Sequence, residues 1–210
     1  MQDYYAARAN EYDKVYLKPE RQADLRQIES WLPTVFAGRS VLELACGTGY
    51  WTQFYAPAAE RVVAIDAAPQ SLRIARTRVP AEKVQLVEGD AYRLPPLATR
   101  CNAGFACFWW SHIPRSRIDA FLRGFHAALA PGAKVVFLDN RFVAGSSTEI
   151  SERDEEGNTY QVRRLADGST HRVLKNFPGR EEVVWAVARH GGGVQYWEWE
   201  YFWAVEYCCS

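Results

Sequence analysis

The stretch that decides the fold is VLELACGTGYWT, which runs from Val41 to Thr52. Its first half is an apolar run interrupted only by Glu43, and continuous apolar strands are typical of sheets covered on both faces. Two glycines, Gly47 and Gly49, then flank a threonine, and the residues that follow predict a short helix. A strand, a glycine turn and a helix N-terminus together predict a site where the backbone approaches a charged ligand.

Outward from this stretch, short apolar runs alternate with helical patterns. Strands are predicted at 61–66, 83–90, 103–110 and 133–140, and amphipathic helices lie between them. Five strands that alternate with helices through short connections predict an α/β fold, with a doubly wound, mainly parallel, Rossmann-like sheet.

The last third of the chain has a different pattern. Residues 158–176 predict an added β-hairpin that turns at Asp167-Gly168, and a helix is expected near 179–190. Residues 194–207 alternate strictly, which predicts one antiparallel C-terminal strand. The residues expected on its packed face are Trp197, Trp199, Tyr201, Trp203, Val205 and Tyr207.

Composition narrows the class of protein. The chain has 210 residues, of which 48% are apolar and 24% are charged, as in ordinary globular proteins. Its 25 basic and 25 acidic residues balance, whereas proteins that bind nucleic acid usually carry a basic excess. The five cysteines show no metal-ligand spacing, so we expect reduced thiols and no metal. We also expect no signal peptide, no membrane span and a cytoplasmic location.

The ligand of the glycine turn can be narrowed by elimination. A dinucleotide fingerprint would need a third glycine where Thr52 stands, and a P-loop would need a lysine that the stretch lacks. Asp66 ends the second strand, where an acidic side chain accepts hydrogen bonds from ribose hydroxyls. Asp90 and Ala91 end the third strand and could bind adenine, while Glu43 could meet an ammonium group. Together these features favour S-adenosylmethionine (SAM).

These motifs resemble a known family. The residues ELACGTG at 43–49, the acidic end of the second strand, GDA at 89–91 and LRGFHAALAPGAKVVFLD at 122–139 look like the class I SAM-dependent methyltransferases. The resemblance extends to small-molecule members of the ubiquinone and menaquinone type and covers roughly residues 4–140. One departure is Ala45, where the family more often has glycine.

The resemblance implies SAM as cofactor and S-adenosylhomocysteine (SAH) as product. It also implies one domain over 1–210, with a helical N-terminal lid at 1–35, a cofactor-binding core at 36–140 and a hairpin, helix and terminal strand at 141–210. Its implied cofactor-binding residues are Tyr12, Glu43, Ala45, Gly47, Gly49, Asp66, Ala67, Asp90, Ala91 and Phe108. For Tyr12, simple packing on a helix face stays open.

Candidate substrate residues follow the fourth and fifth strands. His112 is the candidate general base for a hydroxyl acceptor, and its alternative is helix capping or packing. Trp109 and Trp110 could form an aromatic floor or simply belong to the core. Arg141 could pair with a carboxylate or lie in solvent, and Tyr5 is a further candidate from the lid.

The sequence therefore predicts a SAM-dependent methyltransferase that acts on an O, N or C atom of an aromatic or apolar small molecule. The alternatives are a non-catalytic SAM-fold binding module and an NAD-dependent oxidoreductase. The motifs of nucleic-acid methyltransferases are absent from the expected positions. The oligomeric state stays open. Arg163, Arg164, Arg172 and Lys175 form a basic cluster on the hairpin, interpreted as a solvated surface unless the hairpin closes over the pocket.

Overall fold

The computed structural model describes residues 8–210, so Tyr5 lies outside the described part of the chain. Its strands are β1 Ser40–Leu44, β2 Arg61–Asp66, β3 Val84–Glu88, β4 Cys101–Cys107, β5 Leu129–Asn140, β6 Glu152–Arg153, β7 Thr159–Arg164, β8 Thr170–Leu174, β9 Gly191–Glu198 and β10 Phe202–Cys209. The main sheet has the order β3-β2-β1-β4-β5-β10-β9. Strands β1 to β5 pair in parallel, and β10 is antiparallel to both of its neighbours. The predicted fold class is confirmed.

Helices cover both faces of this sheet. They are α1 Gln22–Phe36, α2 Thr52–Tyr55, α3 Pro69–Arg76, α4 Ile118–Ala127 and α5 Arg180–Ala188. Val41 of β1 packs in the core layer that contains α1, whereas Leu42 and Leu44 pack in the layer that contains α4. Alternate residues of one strand thus serve opposite layers, because successive side chains of a strand point to opposite faces. In residues 8–210, no helix is both long and apolar enough to cross a bilayer.

The predicted single C-terminal strand is wrong, because the chain turns sharply between β9 and β10. The backbone N–H of Trp199 donates to the carbonyl of Phe202, and the N–H of Tyr201 donates to the buried carboxylate of Asp24 on α1. After this turn, Trp203 packs in the layer opposite to Trp197. The alternating pattern hid the turn, since a partner 177 residues away in sequence stabilises it.

The predicted hairpin is present as β7 and β8, and β6 extends it to a separate three-stranded sheet. Asp167 Oδ1 accepts the N–H of Ser169 at the turn, which Gly168 allows with a φ of 86°. The N–H of Asn176 donates to the carbonyl of Ser111, after β4. This bond helps to hold the small sheet at the carboxyl ends of β4 and β5.

Within the described part of the predicted helical lid, a 3-10 helix spans Ala9–Leu17 and a 3-10 turn spans Pro19–Arg21. Lys18 is extended because a residue that precedes proline avoids the helical region, and this ends the first helix. Asp13 then fixes the segment to the glycine turn, since it accepts hydrogen bonds from Thr48 Oγ1 at 2.6 Å and Arg78 Nη2 at 2.5 Å.

Candidate functional site

The glycine turn after β1 has three residues with left-handed backbone, namely Ala45 at φ 54°, Gly47 at 56° and Gly49 at 71°. This conformation costs a non-glycine residue about 1–2 kcal/mol, so Ala45 is strained. A Cβ atom on Gly47 would meet no atom within 4 Å, and Gly47 lines a cavity. The turn therefore leaves its backbone open for a ligand at Gly47.

Glu43 and Gly49, predicted at the methionine end of a cofactor, contact other parts of the protein. A Cβ atom on Gly49 would lie 3.1 Å from the Cβ atom of Ala75, so this glycine lets α3 approach the turn. Glu43 is buried, and its Oε2 accepts hydrogen bonds from Thr52 Oγ1 and Tyr55 Oη, both at 2.7 Å. Burial raises the pKa of Glu43 to about 7. Glu43 thus anchors α2 inside the core.

Asp66 links the glycine turn to the start of α3. Its Oδ2 accepts the N–H of Gly47 and its Oδ1 accepts the N–H of Ala68, both at 2.8 Å. Burial raises the pKa of this carboxyl group above its ordinary value. Each carboxylate oxygen has a second lone pair, so Asp66 can still accept hydrogen bonds from a diol.

A cavity of about 220 Å³ opens at the carboxyl ends of β1 to β4; we call it the turn cavity. It contains eight of the ten predicted cofactor residues, together with Trp109 and His112. Its lining residues are Tyr12, Ala45, Gly47, Asp66, Ala67, Ala68, Ser71, Gly89, Asp90, Ala91, Tyr92, Cys107, Phe108, Trp109 and His112. In open α/β sheets, ligands bind at such carboxyl ends where the strand order reverses.

The residues of the turn cavity fit a nucleoside joined to an amino acid. Asp66 and Asp90 supply acceptors, and the open backbone of Gly47 leaves space beside the turn. The buried indole N–H of Trp109 has no hydrogen-bond acceptor among residues 8–210.

A second cavity of about 350 Å³ lies between the N-terminal 3-10 helix and the β6–β8 sheet; we call it the basic cavity. Among the described residues, its lining includes seven basic side chains and one acidic one, Glu11. The basic residues are Arg8, Lys14, Lys18, Arg21, Arg163, Arg164 and Lys175. Tyr12, Phe108 and His112 line both cavities, so the two spaces meet at these side chains.

His112 is buried at this junction. Its Nδ1 lies 2.5 Å from the carbonyl oxygen of Leu174. Because a carbonyl only accepts, Nδ1 carries the proton, and in the neutral ring Nε2 is the basic nitrogen. Burial, reinforced by Lys175 and Arg163, holds the pKa of His112 well below its ordinary value. The imidazole is therefore neutral at physiological pH.

A buried ion pair supports the floor of the basic cavity. Lys175 Nζ lies 3.1 Å from Asp139 Oδ1 and donates to Ser111 Oγ at 2.6 Å. Asp139 also accepts hydrogen bonds from the N–H of Ser111 at 2.9 Å and the N–H of Asn140 at 2.7 Å. Burial lowers the pKa of Lys175, although Asp139 opposes this shift.

Trp110 and Arg141 both make contacts with other parts of the protein. Trp110 is 3% exposed and packs edge-on against Phe137 and Trp203, so it belongs to the core. Arg141 donates to the carbonyl of Trp199 at 2.6 Å and pairs with a glutamate of β9, which holds the β9–β10 turn. Trp110 thus takes the core role that the sequence left open, the substrate role of Arg141 stays a prediction, and Tyr5 lies outside the described residues.

The basic cavity is the part of the site that sequence reasoning missed. In the hairpin cluster interpreted as solvated, Arg164 is exposed, and Arg172 forms an ion pair at the surface with Glu152 at 2.8 Å. Arg163, Arg164 and Lys175 line the basic cavity. A signal existed in the N-terminal segment, where Lys14, Lys18 and Arg21 recur at spacings of four and three.

Part of the chain matches a known protein family. Residues 41–132 match the model of a family described as a methyltransferase domain. The malonyl-[acyl-carrier protein] O-methyltransferase of Serratia marcescens is 30% identical over 116 residues, which cover 55% of this chain and 43% of that protein. Its counterpart from Pectobacterium atrosepticum is 28% identical over 119 residues, covering 55% and 44%. The chain thus spans less than half the length of the curated relatives it matches.

Solved structures match nearly the whole chain. A DhpI–SAH complex has a TM-score of 0.76 and 29% identity, covering 99% of this chain and 93% of that one. A DhpI–SAM–HEP complex has a TM-score of 0.75 and 27% identity, covering 99% and 95%. These findings confirm the predicted resemblance to the class I SAM-dependent methyltransferases.

Proposed function

We propose that this chain, which has the fold and the family model of the class I SAM-dependent methyltransferases, binds SAM in the turn cavity and methylates a small molecule held in the basic cavity. One observation carries the proposal. The two cavities meet at Tyr12, Phe108 and His112, so a donor and an acceptor can be held side by side.

Each residue of the turn cavity has a role in this proposal. Asp66 accepts hydrogen bonds from the ribose hydroxyls, while Asp90 and the N–H of Ala91 bind the adenine edge. The open backbone at Gly47 makes room for the methionine moiety. Ala67 and Phe108 complete the pocket. Bound SAM supplies a methyl group already activated on a sulfonium, so the protein's task is alignment and exclusion of water.

The lid segment supplies that exclusion. Asp13 ties the 3-10 helix Ala9–Leu17 to Thr48 of the glycine turn. Tyr12, on the same helix, lines both cavities and covers the junction. The curated relatives are named for O-methyl transfer, and this supports oxygen as the acceptor atom.

Calorimetric titration with SAH tests the cofactor part of the proposal. Asp66→Ala should weaken SAH binding about tenfold or more, because a buried carboxylate makes charge-assisted hydrogen bonds to the ribose. The matched control is Glu88→Ala, which removes an exposed carboxylate from the end of the neighbouring strand β3.

Three results would contradict the proposal. No affinity for SAM or SAH removes the cofactor, and preferential binding of NADH would revive the oxidoreductase alternative. Tight SAH binding without methyl transfer to any member of a broad acceptor panel would favour a binding module.

A further inference from the structure

We propose that the basic cavity binds a small-molecule oxyanion, a phosphonate, phosphate or carboxylate, whose charged oxygen accepts the methyl group. This inference rests on the proposed function and names the substrate class of the same site. It differs from the aromatic or apolar acceptor that the sequence predicts.

The charge of the lining is the first support. Seven basic side chains and one acidic side chain line a space of about 350 Å³ in a chain whose formal net charge is zero. Three of these cations have a carboxylate nearby: Lys175 pairs with Asp139 at 3.1 Å, Lys14 lies 3.9 Å from Glu11, and Lys18 lies 4.0 Å from Glu20. Among the described residues, basic side chains still outnumber these three carboxylates.

Arg21 is the second support. Its side chain is buried, and it donates to the hydroxyl of Ser146 at 3.0 Å, to the carbonyl of Ser146 at 3.2 Å and to Asn140 at 3.4 Å. Burial lowers the pKa of Arg21, and the carboxylate of Glu20, which accepts a hydrogen bond from the same Ser146 hydroxyl at 2.7 Å, has a smaller effect that raises it. A further anion in the cavity would therefore stabilise this buried cation. A planar guanidinium matches an oxyanion in a bidentate geometry.

The hairpin supplies basic groups from the opposite wall. Gln161 Oε1 accepts hydrogen bonds from Arg163 Nη2 at 2.7 Å and Arg163 Nε at 3.2 Å, which fixes the guanidinium at the cavity. Gln161 is itself held by the carbonyl of Thr148 at 2.5 Å. The positive groups also repel one another. Burial lowers the pKa of both lysines that line the cavity near these arginines. Arg21 lowers the pKa of Lys18 further, and Arg163 lowers that of Lys175 further.

An oxyanion also fits the chemistry at the junction. A hydroxyl acceptor needs a base to remove its proton, whereas an oxyanion already has an unprotonated oxygen. The anionic oxygen uses a lone pair to form the new O–CH₃ bond. The bond between the methyl carbon and sulfur breaks, and the electron pair of that bond remains on sulfur. The negative charge of the acceptor and the positive charge of the sulfonium cancel, and no proton is released. His112 then positions the acceptor and removes no proton.

Calorimetric titration of the SAH-saturated protein tests this inference. Methylphosphonate, inorganic phosphate and malonate should each be tested beside the uncharged ester dimethyl malonate. We expect at least one oxyanion to bind at least tenfold more tightly than the ester, with an affinity that falls as salt rises. Assays with SAM and each oxyanion, in which the mass of the product is measured, then identify which of the three oxyanions is methylated.

Variants distinguish binding in the basic cavity from a general attraction of anions to the basic surface. Arg163→Gln and Arg21→Gln should each weaken oxyanion binding roughly 10- to 100-fold, because each removes charged hydrogen bonds. Arg164→Gln, at an exposed position, tests the same wall if Arg21→Gln fails to fold. The matched control is Arg172→Gln on the same hairpin, which should leave oxyanion and SAH affinities within twofold.

The outcomes are distinguishable. If SAH does not bind, the proposed function fails. If SAH binds but oxyanions bind no better than the ester, or if Arg163→Gln and Arg164→Gln leave oxyanion binding unchanged, the oxyanion inference is overturned while the proposed function stands.

Discussion

The buried pair of Asp139 and Lys175 predicts unequal effects for its two single variants. Asp139→Asn leaves Lys175 as a buried cation that keeps a hydrogen bond to Ser111 Oγ at 2.6 Å but has lost its carboxylate partner. Loss of one partner of a buried ion pair destabilises a protein by about 3–5 kcal/mol. Lys175→Met should lower the free energy of unfolding less, by about 1–3 kcal/mol. The carboxylate of Asp139 keeps its hydrogen bonds from the backbone of Ser111 and Asn140.

Urea unfolding at pH 7, followed by tryptophan fluorescence, measures these differences. The double variant Asp139→Asn/Lys175→Met is the internal control, because it removes the stranded cation. It should be more stable than Asp139→Asn alone. A Lys175→Met variant that is as unstable as Asp139→Asn, or a double variant less stable than both, would refute the reasoning.

The same pair predicts a pH dependence. Burial lowers the pKa of Lys175 in the folded protein, so the unfolded chain binds more protons and stability rises with pH up to about 10.5. Asp139→Asn removes the carboxylate that opposes this shift, so its stability should rise more steeply between pH 7 and 9 than that of the native chain. Lys175→Met should lack this contribution.

Three further predictions concern the glycine turn and the residues that support it. Ala45→Gly relieves left-handed strain of about 1–2 kcal/mol, which the greater freedom of glycine in the unfolded chain partly offsets. The melting temperature should therefore rise or stay equal, and a clear loss of stability with unchanged SAH affinity would contradict this prediction. Arg78→Gln removes the ion pair with Asp13 that holds the lid, and should weaken SAH binding about fivefold by calorimetry, whereas Arg76→Gln, at an exposed site on α3, should not. Glu43 has a pKa of about 7, raised from 4.5 by burial, so the folded protein binds more protons and stability falls as pH rises from 4.5 to 7; Glu43→Gln should remove this fall, which is of the order of 3 kcal/mol, and an unchanged unfolding profile would assign it to other groups.

The sequence could predict the fold and the turn cavity because both depend on short-range patterns. Parallel strands end at one edge of the sheet, so Gly47, Asp66 and Asp90 meet once the strands are recognised. The same patterns do not fix how a side chain is rotated. Glu43 and Gly49 belong to the matched motif, yet Glu43 bonds to Tyr55 inside the core and Gly49 packs on α3.

The turn between β9 and β10 could not be predicted for a related reason. Its signal is not local, because Asp24, near the other end of the chain, accepts the hydrogen bond that stabilises it. Trp197 and Trp203 therefore lie in opposite layers, although the alternation places them on one face. Trp110, interpreted from its neighbourhood as either floor or core, belongs to the core because Phe137 and Trp203 surround it.

The net charge gave no indication of the basic cavity, for a geometric reason. A sum over 50 charged residues excludes a general affinity for polyanions, but it carries no information on where opposite charges lie. The lid brings Lys18 and Arg21 to the cavity, and the hairpin, about 140 residues later, brings Arg163 and Arg164. Each segment alone has the composition of a solvated surface.

Because the basic cavity exists only when both segments are in place, an oxyanion between them would hold the lid against the hairpin. Acceptor binding should therefore protect the N-terminal 3-10 helix from hydrogen exchange, and Arg163→Gln should abolish that protection. Equal exchange with and without acceptor would separate substrate binding from lid closure.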